Sequence, residues 1–219
     1  MSRGLLALGV APLVLGLGST VDGALVHNTF GLSSPDQTLT FGEVVLATDT
    51  SVTTQYSSYG VTFSSEMFYD GFGGPIAGGV LPNLSGHYLS NFDGGDPPTV
   101  TPFLISFASM QSAAAFSIST NSGTSTFTAL LAGMSVESFN AATNSSNTNN
   151  YFGFSGITFD TIRVDPGGTG GAALIDNLQF IASSTSVVPE SNSMALMGLS
   201  VLGLCAMHRR RQREYANLN

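Results

Sequence analysis

Residues 158–164 (TFDTIRV) and 173–180 (ALIDNLQF) largely alternate apolar with polar side chains. Because successive side chains of a β-strand point to opposite faces, a period of two predicts strands with one buried face. Val, Ile, Thr and Phe are frequent in both stretches, and most of these residue types favour strands. Residues 165–168 (DPGG), which follow the first stretch, are a turn sequence. The two stretches therefore predict two strands separated by a turn.

Shorter segments of the same character precede this pair along the chain. They are residues 39–41, 44–46, 60–63, 103–107, 115–118 and 126–130. Turn clusters rich in Gly, Pro, Ser, Asn and Asp separate them at residues 33–36, 72–75, 93–98 and 121–123, and the polar run 144–150 (NSSNTNN) is a predicted loop. No helical stripe longer than a turn or two interrupts the pattern. The sequence therefore predicts an all-β domain over residues 25–183, a single jelly-roll-like β-sandwich.

The amino-terminal residues have the character of a secretory signal. A short positive segment ending at Arg3 precedes the apolar residues 4–18, and small or polar residues follow. This order predicts a signal peptide with a hydrophobic helix over residues 1–24, with cleavage after Ser19, Gly23 or Ala24 left open. An uncleaved anchor is the alternative, although the apolar run is short for a membrane span.

The carboxyl-terminal residues predict an anchor. A linker at residues 184–193 contains a Val-Pro-Glu motif, residues 194–208 form a hydrophobic helix, and residues 209–219 are a basic cytoplasmic tail. The fourteen apolar or small residues 194–207 give about 21 Å of helix, against a hydrocarbon core of about 30 Å, and local thinning of the bilayer covers part of the gap. The arginines then stay on the cytoplasmic side. A disordered basic tail after a buried helix is the alternative.

In its order of parts, this carboxyl-terminal segment resembles a PEP-CTERM sorting signal. The residues that carry the resemblance are Val188, Pro189, Glu190, Arg209, Arg210 and Arg211, while Ser191 stands where a second proline is usual. The resemblance implies recognition by an exosortase, cleavage near the motif, and export in Gram-negative bacteria that often make exopolysaccharide. The body is similar to exported domains with this signal at residues 38–43, 55–63, 159–164 and 174–180, which implies a jelly-roll-like sandwich but no activity.

Charge excludes one class of partner. The chain contains no lysine, and residues 25–188 carry eleven carboxylates against the single Arg163. Such a surface repels phosphate backbones, so nucleic acid is not an expected partner. The only cysteine, Cys205, lies in the terminal apolar run. The exported body therefore has no disulfide, thiolate metal site or cysteine nucleophile.

Catalytic patterns are weak in this sequence. Ser85 and His87 lie near Asp93 and Asp96, but the chain has no Gly-x-Ser-x-Gly elbow, and closeness in sequence does not create a catalytic triad. No pair of carboxylates stands in a recognisable arrangement for glycoside hydrolysis. The sequence thus assigns no catalytic residue.

Calcium is the cofactor that the acidic body favours, because Ca²⁺ binds carboxylate and carbonyl oxygens. Glu43, just after an early strand, and Asp176, in the last strand, are the predicted ligands, and the loop at residues 93–96 is a second candidate. In the alternative interpretation, Asp176 and Asn177 satisfy backbone groups at a strand edge.

Two functions remain open. The first is a non-enzymatic exported protein of the envelope or extracellular matrix that binds a glycan or matrix component. Aromatic residues are its candidate stacking faces, namely Tyr56, Tyr59, Phe68, Tyr69, Phe72, Tyr88 and Tyr151. The alternative is a secreted hydrolase acting on polysaccharide. A groove with converging acids would favour the hydrolase.

Overall fold

The computed structural model describes residues 23–71, 81–92 and 102–184. Within them, regular structure consists of eleven β-strands and two short 3-10 helices, Ser57–Tyr59 and Thr169–Gly171. The strands are β1 Ala24–Asn28, β2 Gln37–Leu39, β3 Thr50–Ser51, β4 Val61–Phe63, β5 Phe68–Tyr69, β6 Leu89–Ser90, β7 Phe103–Thr120, β8 Gly123–Leu131, β9 Met134–Thr143, β10 Tyr151–Asp165 and β11 Ala173–Ala182. The prediction of an all-β domain is confirmed.

All strand pairs are antiparallel. The hydrogen-bonded order is β3-β5-β6-β11-β7-β10-β8-β9, with β1 beside β10, β2 beside β11 and β4 beside β7. β7, β10 and β11 are long strands at the centre of this order, and the shorter strands pair around them. These three long strands therefore connect most of the other strands of the sheet.

β7 and β10 each take part in two regions of the sheet. The first part of β10, through Ser155, pairs with β1 and with the last part of β7. Its last part, from Thr161, pairs with β8 and with the first part of β7. Register shifts between Ser155 and Thr161 mark bulges, where strands bend. We call region I the part that contains β1, β11, β2, β6, β5 and β3, and region II the part that contains β4, β8 and β9.

Phenylalanine rings from both regions meet in the core. Phe127 of β8 stacks on Phe152 of β10 with ring centroids 5.1 Å apart, and on Phe139 of β9 at 5.0 Å. Phe152 also stacks against His27 of β1 at 4.5 Å. Because region I and region II bury their inner faces against the same rings, the fold is β-sandwich-like.

Two local features of the sequence allow the β8–β9 and β7–β10 strand pairs to form. Ala132 and Gly133 both have positive φ, 50° and 78°, so the β8–β9 hairpin has the left-handed turn that matches the twist of its strands. Gly153 of β10 lies against the backbone of Ala114 on β7, where a Cβ atom would overlap the Ala114 carbonyl oxygen. Glycine is therefore required at position 153 for the central strands to approach each other.

Some strand predictions were wrong in detail. Residues 44–46 form no strand, and Val45 is exposed because the chain leaves the sheet after β2. The segments 103–107 and 115–118 belong to one strand, β7, which stays continuous through a register shift. Sequence reasoning missed β9 altogether. Of the predicted signal peptide 1–24, residues 1–22 lie outside the described residues, and β1 begins at Ala24. The predicted linker 184–193 beyond Ser184, the predicted helix 194–208 and the predicted tail 209–219 also lie outside them.

Candidate functional site

Asp176, one of the two predicted calcium ligands, is completely buried in β11. Its Oδ2 accepts a hydrogen bond from the Ser85 N–H at 2.9 Å, and its Oδ1 accepts one from the Asn177 N–H at 2.6 Å. Asn177 has a φ of 51° at a bulge where the pairing of β11 with β7 shifts register. Burial raises the pKa of Asp176 to about 7, although the two backbone donors oppose this rise.

The surroundings of Asp176 form a polar anchor for the loop at residues 81–86. The Asn83 carbonyl accepts hydrogen bonds from Asn177 Nδ2 at 2.7 Å and from Ser117 Oγ at 2.8 Å. The Asn83 side chain donates to Asn150 Oδ1 at 2.6 Å, and Asn150 donates to the Pro82 carbonyl at 2.6 Å. These bonds tie the loop to β7 and β11. These contacts agree with the alternative to a calcium site, in which Asp176 and Asn177 satisfy backbone groups.

Glu43 lies in the segment after β2. Its Oε1 accepts hydrogen bonds from the backbone N–H of Thr40 at 2.7 Å and from the Thr40 hydroxyl at 3.0 Å. Its Oε2 is buried and has no hydrogen-bond partner among the described residues. The charge of Glu43 adds to the rise in the pKa of Asp176, after the larger effect of burial, so the two carboxylates interact electrostatically.

The calcium site stays a prediction. In residues 23–71, 81–92 and 102–184 there is no group of three or more His, Cys, Asp or Glu side chains suited to a metal. An ion between Glu43 and Asp176 would therefore need backbone, amide or water oxygens as well, which Ca²⁺ accepts. The free Oε2 of Glu43 is the atom that fits such an ion best. The second candidate, residues 93–96, lies outside the described residues.

His87 pairs with an acid that sequence reasoning did not propose. Its Nδ1 lies 2.7 Å from Oδ2 of Asp70, and its ring stacks on Tyr69 with centroids 5.1 Å apart. Asp70 Oδ1 also accepts the backbone N–H of Tyr88. No hydrogen bond between Ser85 and His87 occurs in the described part of the chain, where Ser85 instead donates its backbone N–H to Asp176. This geometry gives the histidine a positioned carboxylate but no serine nucleophile.

The predicted stacking aromatics divide into buried and partly exposed rings. Tyr56, Tyr69 and Tyr151 are buried, so they cannot present a face to a sugar. Burial raises the pKa of all three phenols, and the Tyr56 hydroxyl donates to the Phe41 carbonyl at 2.8 Å. The intermediate rings are Tyr59, Phe68 and Tyr88, and Phe72 lies outside the described residues. Sequence composition could not separate core rings from surface rings.

The outer face of region II carries an open groove with a volume of about 420 Å³. Its lining residues are Thr126, Thr128, Leu130, Gly133, Ser135, Arg163 and Asp165. β8, β10 and the start of β9 supply them, and the Ala132–Gly133 turn borders one end. The N–H of Ala132 donates to Asp160 Oδ2 at 2.8 Å, which holds that turn against β10.

Arg163 and Asp165 are the charged groups of the groove lining in the described structure. Arg163 forms no ion pair with any other described residue, so its guanidinium remains available to a ligand. The register places Arg163 opposite Thr128 and Asp165 opposite Thr126. The arrangement can bind a polar molecule through a cationic donor, an anionic acceptor and a row of hydroxyls.

In the sequence, Arg163 is the only Lys or Arg between residues 25 and 188, and no motif around it indicates a site. The signal that could have found the groove is the alternation at residues 124–128 (TSTFT), which puts threonine on one face of β8 beside the outward residues of β10. The sorting-signal residues Val188, Pro189, Glu190, Arg209, Arg210 and Arg211 lie outside the described residues.

Comparison with known proteins gives no relative for this chain. The sequence matches no protein-family model, and neither curated proteins nor solved structures show significant similarity to it. None of the helices in the described ranges has the length and apolar character needed to cross a membrane.

Proposed function

We propose that this chain is an exported, non-enzymatic binding protein of the cell envelope or extracellular matrix. Its body is a jelly-roll-like β-sandwich, and a PEP-CTERM-like signal sorts it. The amino-terminal segment directs export, and the helix at residues 194–208 holds the protein in the membrane at least transiently. An exosortase-type enzyme is its processing partner, and exopolysaccharide is its ligand outside the cell.

The observation that carries the binding function is the hydroxyl-lined groove on region II. Sugars are bound in proteins by groups that donate to and accept from their hydroxyls, and Arg163, Asp165 and the threonines of β8 are groups of this kind. The groove is open, so a long polymer can lie across it. A module of this type would retain the protein on a polysaccharide matrix after its release from the membrane.

The same groove argues against the polysaccharide hydrolase. Glycoside hydrolysis needs two carboxyl groups about 5 to 10 Å apart on either side of the scissile bond. Among the described lining residues, Asp165 is the one carboxylate. The raised pKa of Asp176 does not supply a second catalytic acid, because that side chain is fully buried beneath the loop at residues 81–86. Binding without turnover fits this arrangement better.

Calcium remains part of the proposal, with Glu43 and Asp176 as ligands. The buried Oε2 of Glu43 has no hydrogen-bond partner in the described part of the chain, and a cation beside it would compensate its charge. A bound cation would also favour the ionised form of Asp176, which burial now opposes. When bound, the ion would stabilise the segment after β2 against β11.

Export is tested by expressing the full chain in a host that has an exosortase, followed by intact mass measurement and cell fractionation. The matched control replaces Arg209, Arg210 and Arg211 with serine. We expect the native chain to yield a species that ends near Pro189 and is released from the membrane, whereas the control stays unprocessed. A full-length native species in the membrane fraction would mean that Ser191 prevents processing and that the segment is a plain anchor.

Turnover is tested separately by measuring new reducing ends in polysaccharide incubated with the protein. We expect none above the background of a sample without protein. Release of reducing ends by the native chain, abolished by Asp165→Asn, would replace the binding function with hydrolysis. Release that survives Asp165→Asn would place catalysis elsewhere in the chain.

A further inference from the structure

The groove on region II contains hydroxyl groups whose protons are already committed. Thr126 Oγ1 donates to Asn140 Oδ1 at 2.8 Å. Ser138 Oγ lies 3.1 Å from the Phe127 carbonyl and 3.1 Å from Thr128 Oγ1. When the Ser138 proton is donated to the carbonyl, Thr128 is the donor in its contact with Ser138. Both threonine hydroxyls then offer only lone pairs to a molecule in the groove.

With the two charged residues included, the groove lining has more side chains that accept hydrogen bonds than side chains that donate them. Asp165, when ionised, accepts hydrogen bonds only, and Arg163 donates only. The two lie two residues apart on the same face of β10, about 6.6 Å along the strand. A ligand in the groove thus meets acceptors at Thr126, Thr128 and Asp165, the fork-shaped donor of Arg163, and the Ser135 hydroxyl, which can donate or accept. Such a lining suits a molecule with many O–H donors and some acceptors.

This balance discriminates among glycans. An ionised uronate, sulfate or phosphate group brings only acceptors, for which the groove side chains offer Arg163 and the single proton of Ser135, and it would face Asp165 and the threonine lone pairs without protons to share. The described residues also carry nine carboxylates against one arginine, so a polyanion is repelled at long range. A neutral sugar has hydroxyl protons for the acceptors and hydroxyl oxygens for the guanidinium.

We propose that the groove binds an uncharged, hydroxyl-rich glycan, with Arg163 and Asp165 as the pair that selects it. The inference rests on the proposed function and gives its ligand class and its site. The hydrogen bonds from Thr126 to Asn140 and from Thr128 to Ser138 position the acceptors before the glycan arrives. Asp160 positions the turn at the end of the groove through its bond to the Ala132 N–H.

The test uses the full chain in a detergent without sugar groups and affinity electrophoresis in gels that contain dextran, laminarin or galactomannan as neutral polymers, or alginate as the acidic one. We expect a neutral polymer to retard the native protein and alginate not to do so. Arg163→Gln and Asp165→Asn should each weaken binding at least tenfold. Arg163→Lys, which keeps the charge but loses the planar fork, should also weaken it.

The control is Glu66→Gln, which makes the same change in charge as Asp165→Asn at a residue outside the groove lining and should leave retardation unchanged. Circular dichroism and thermal midpoints establish that each variant is folded.

Equal retardation of native protein and both groove variants would place the glycan elsewhere, overturning the inference while the proposed function stands. Retardation by alginate alone would overturn the neutral class. Retardation by no polymer would overturn the inference and the glycan-binding part of the proposed function, and the export test would stand independently.

Discussion

The stability of the β-domain should fall as the pH rises from about 4 to about 8, and Asp176 should be the cause. Its side chain is fully buried, and burial raises its pKa from 3.8 to about 7. In the unfolded chain the same carboxyl has its ordinary pKa of about 3.9. Between these two values the folded state holds a proton that the unfolded state has released. The free energy of unfolding must therefore decrease with pH in this range.

The magnitude follows from the difference between the two pKa values. At ~1.4 kcal/mol per pH unit, a change from 3.8 to about 7 corresponds to about 4 kcal/mol of unfolding free energy. This contribution is fully present below about pH 4 and is lost once the pH exceeds the folded pKa. The backbone donors at Ser85 and Asn177 already limit the effect, because they stabilise the charged carboxylate. The negative charges of Glu43 and Asp70 instead raise the pKa of Asp176 further.

The assay is urea unfolding of residues 23–184 between pH 4 and pH 8, with a chelator present so that no cation compensates the carboxylate. Asp176→Asn is the test variant, since an amide does not titrate and its stability curve should lack this slope whatever its absolute stability. Asp165→Asn is the matched control on the exposed groove and should keep the slope of the native protein. A slope that persists unchanged in Asp176→Asn, or native stability that rises over this range, would refute the reasoning.

Three further outcomes follow from the same contacts. Gly153→Ala should lower the unfolding free energy by about 1 to 3 kcal/mol in urea titration, because the added methyl overlaps the backbone carbonyl of Ala114; unchanged stability would mean that β7 and β10 can separate slightly. Phe127→Ala should cost about 3 to 5 kcal/mol and Phe127→Leu clearly less, since the ring is fully buried between two stacked neighbours; equal losses would argue against the ring stack. Millimolar calcium should raise the thermal midpoint of the native protein but not that of Glu43→Gln, and an unchanged native midpoint would leave Asp176 as a loop anchor only.

The strands that could be predicted are those whose apolar and polar residues follow the two-residue period of a β-strand. Residues 126–130 and 158–164 largely alternate, and both lie in strands that bury apolar residues such as Phe127, Phe159 and Ile162. The failures have identifiable causes. Residues 44–46 are apolar in composition, but the turn around Phe41, which has a φ of 60°, directs them out of the sheet. β9 has the alternation of an edge strand, and its many polar and small residues concealed it.

The candidate site was less accessible to sequence reasoning, because a residue type does not determine its partners. Asp176 was selected for its oxygen atoms, yet the bulge at Asn177 turns the carboxylate toward backbone N–H groups. In the sequence His87 stands near Asp93 and Asp96, but in the structure its Nδ1 contacts Asp70. Such pairings depend on register between distant strands, and a one-residue shift in register would move every side chain to the opposite face.

The hydrogen-bond network around Asp176 and the groove around Arg163 belong to different regions of the sheet. The network around Asp176 joins β11, β7 and the loop at residues 81–86, and it is buried, so its chemistry acts on stability. The groove around Arg163 lies on the outer face of β8 and β10, where the inward side chains of the same strands, such as Phe127, fill the core. Because alternate residues of β8 and β10 face the core and the groove, polar substitutions on the outer face can alter the proposed ligand preference without disturbing the packing beneath it. A sandwich of this kind can therefore keep its fold while the chemistry of its outer face changes.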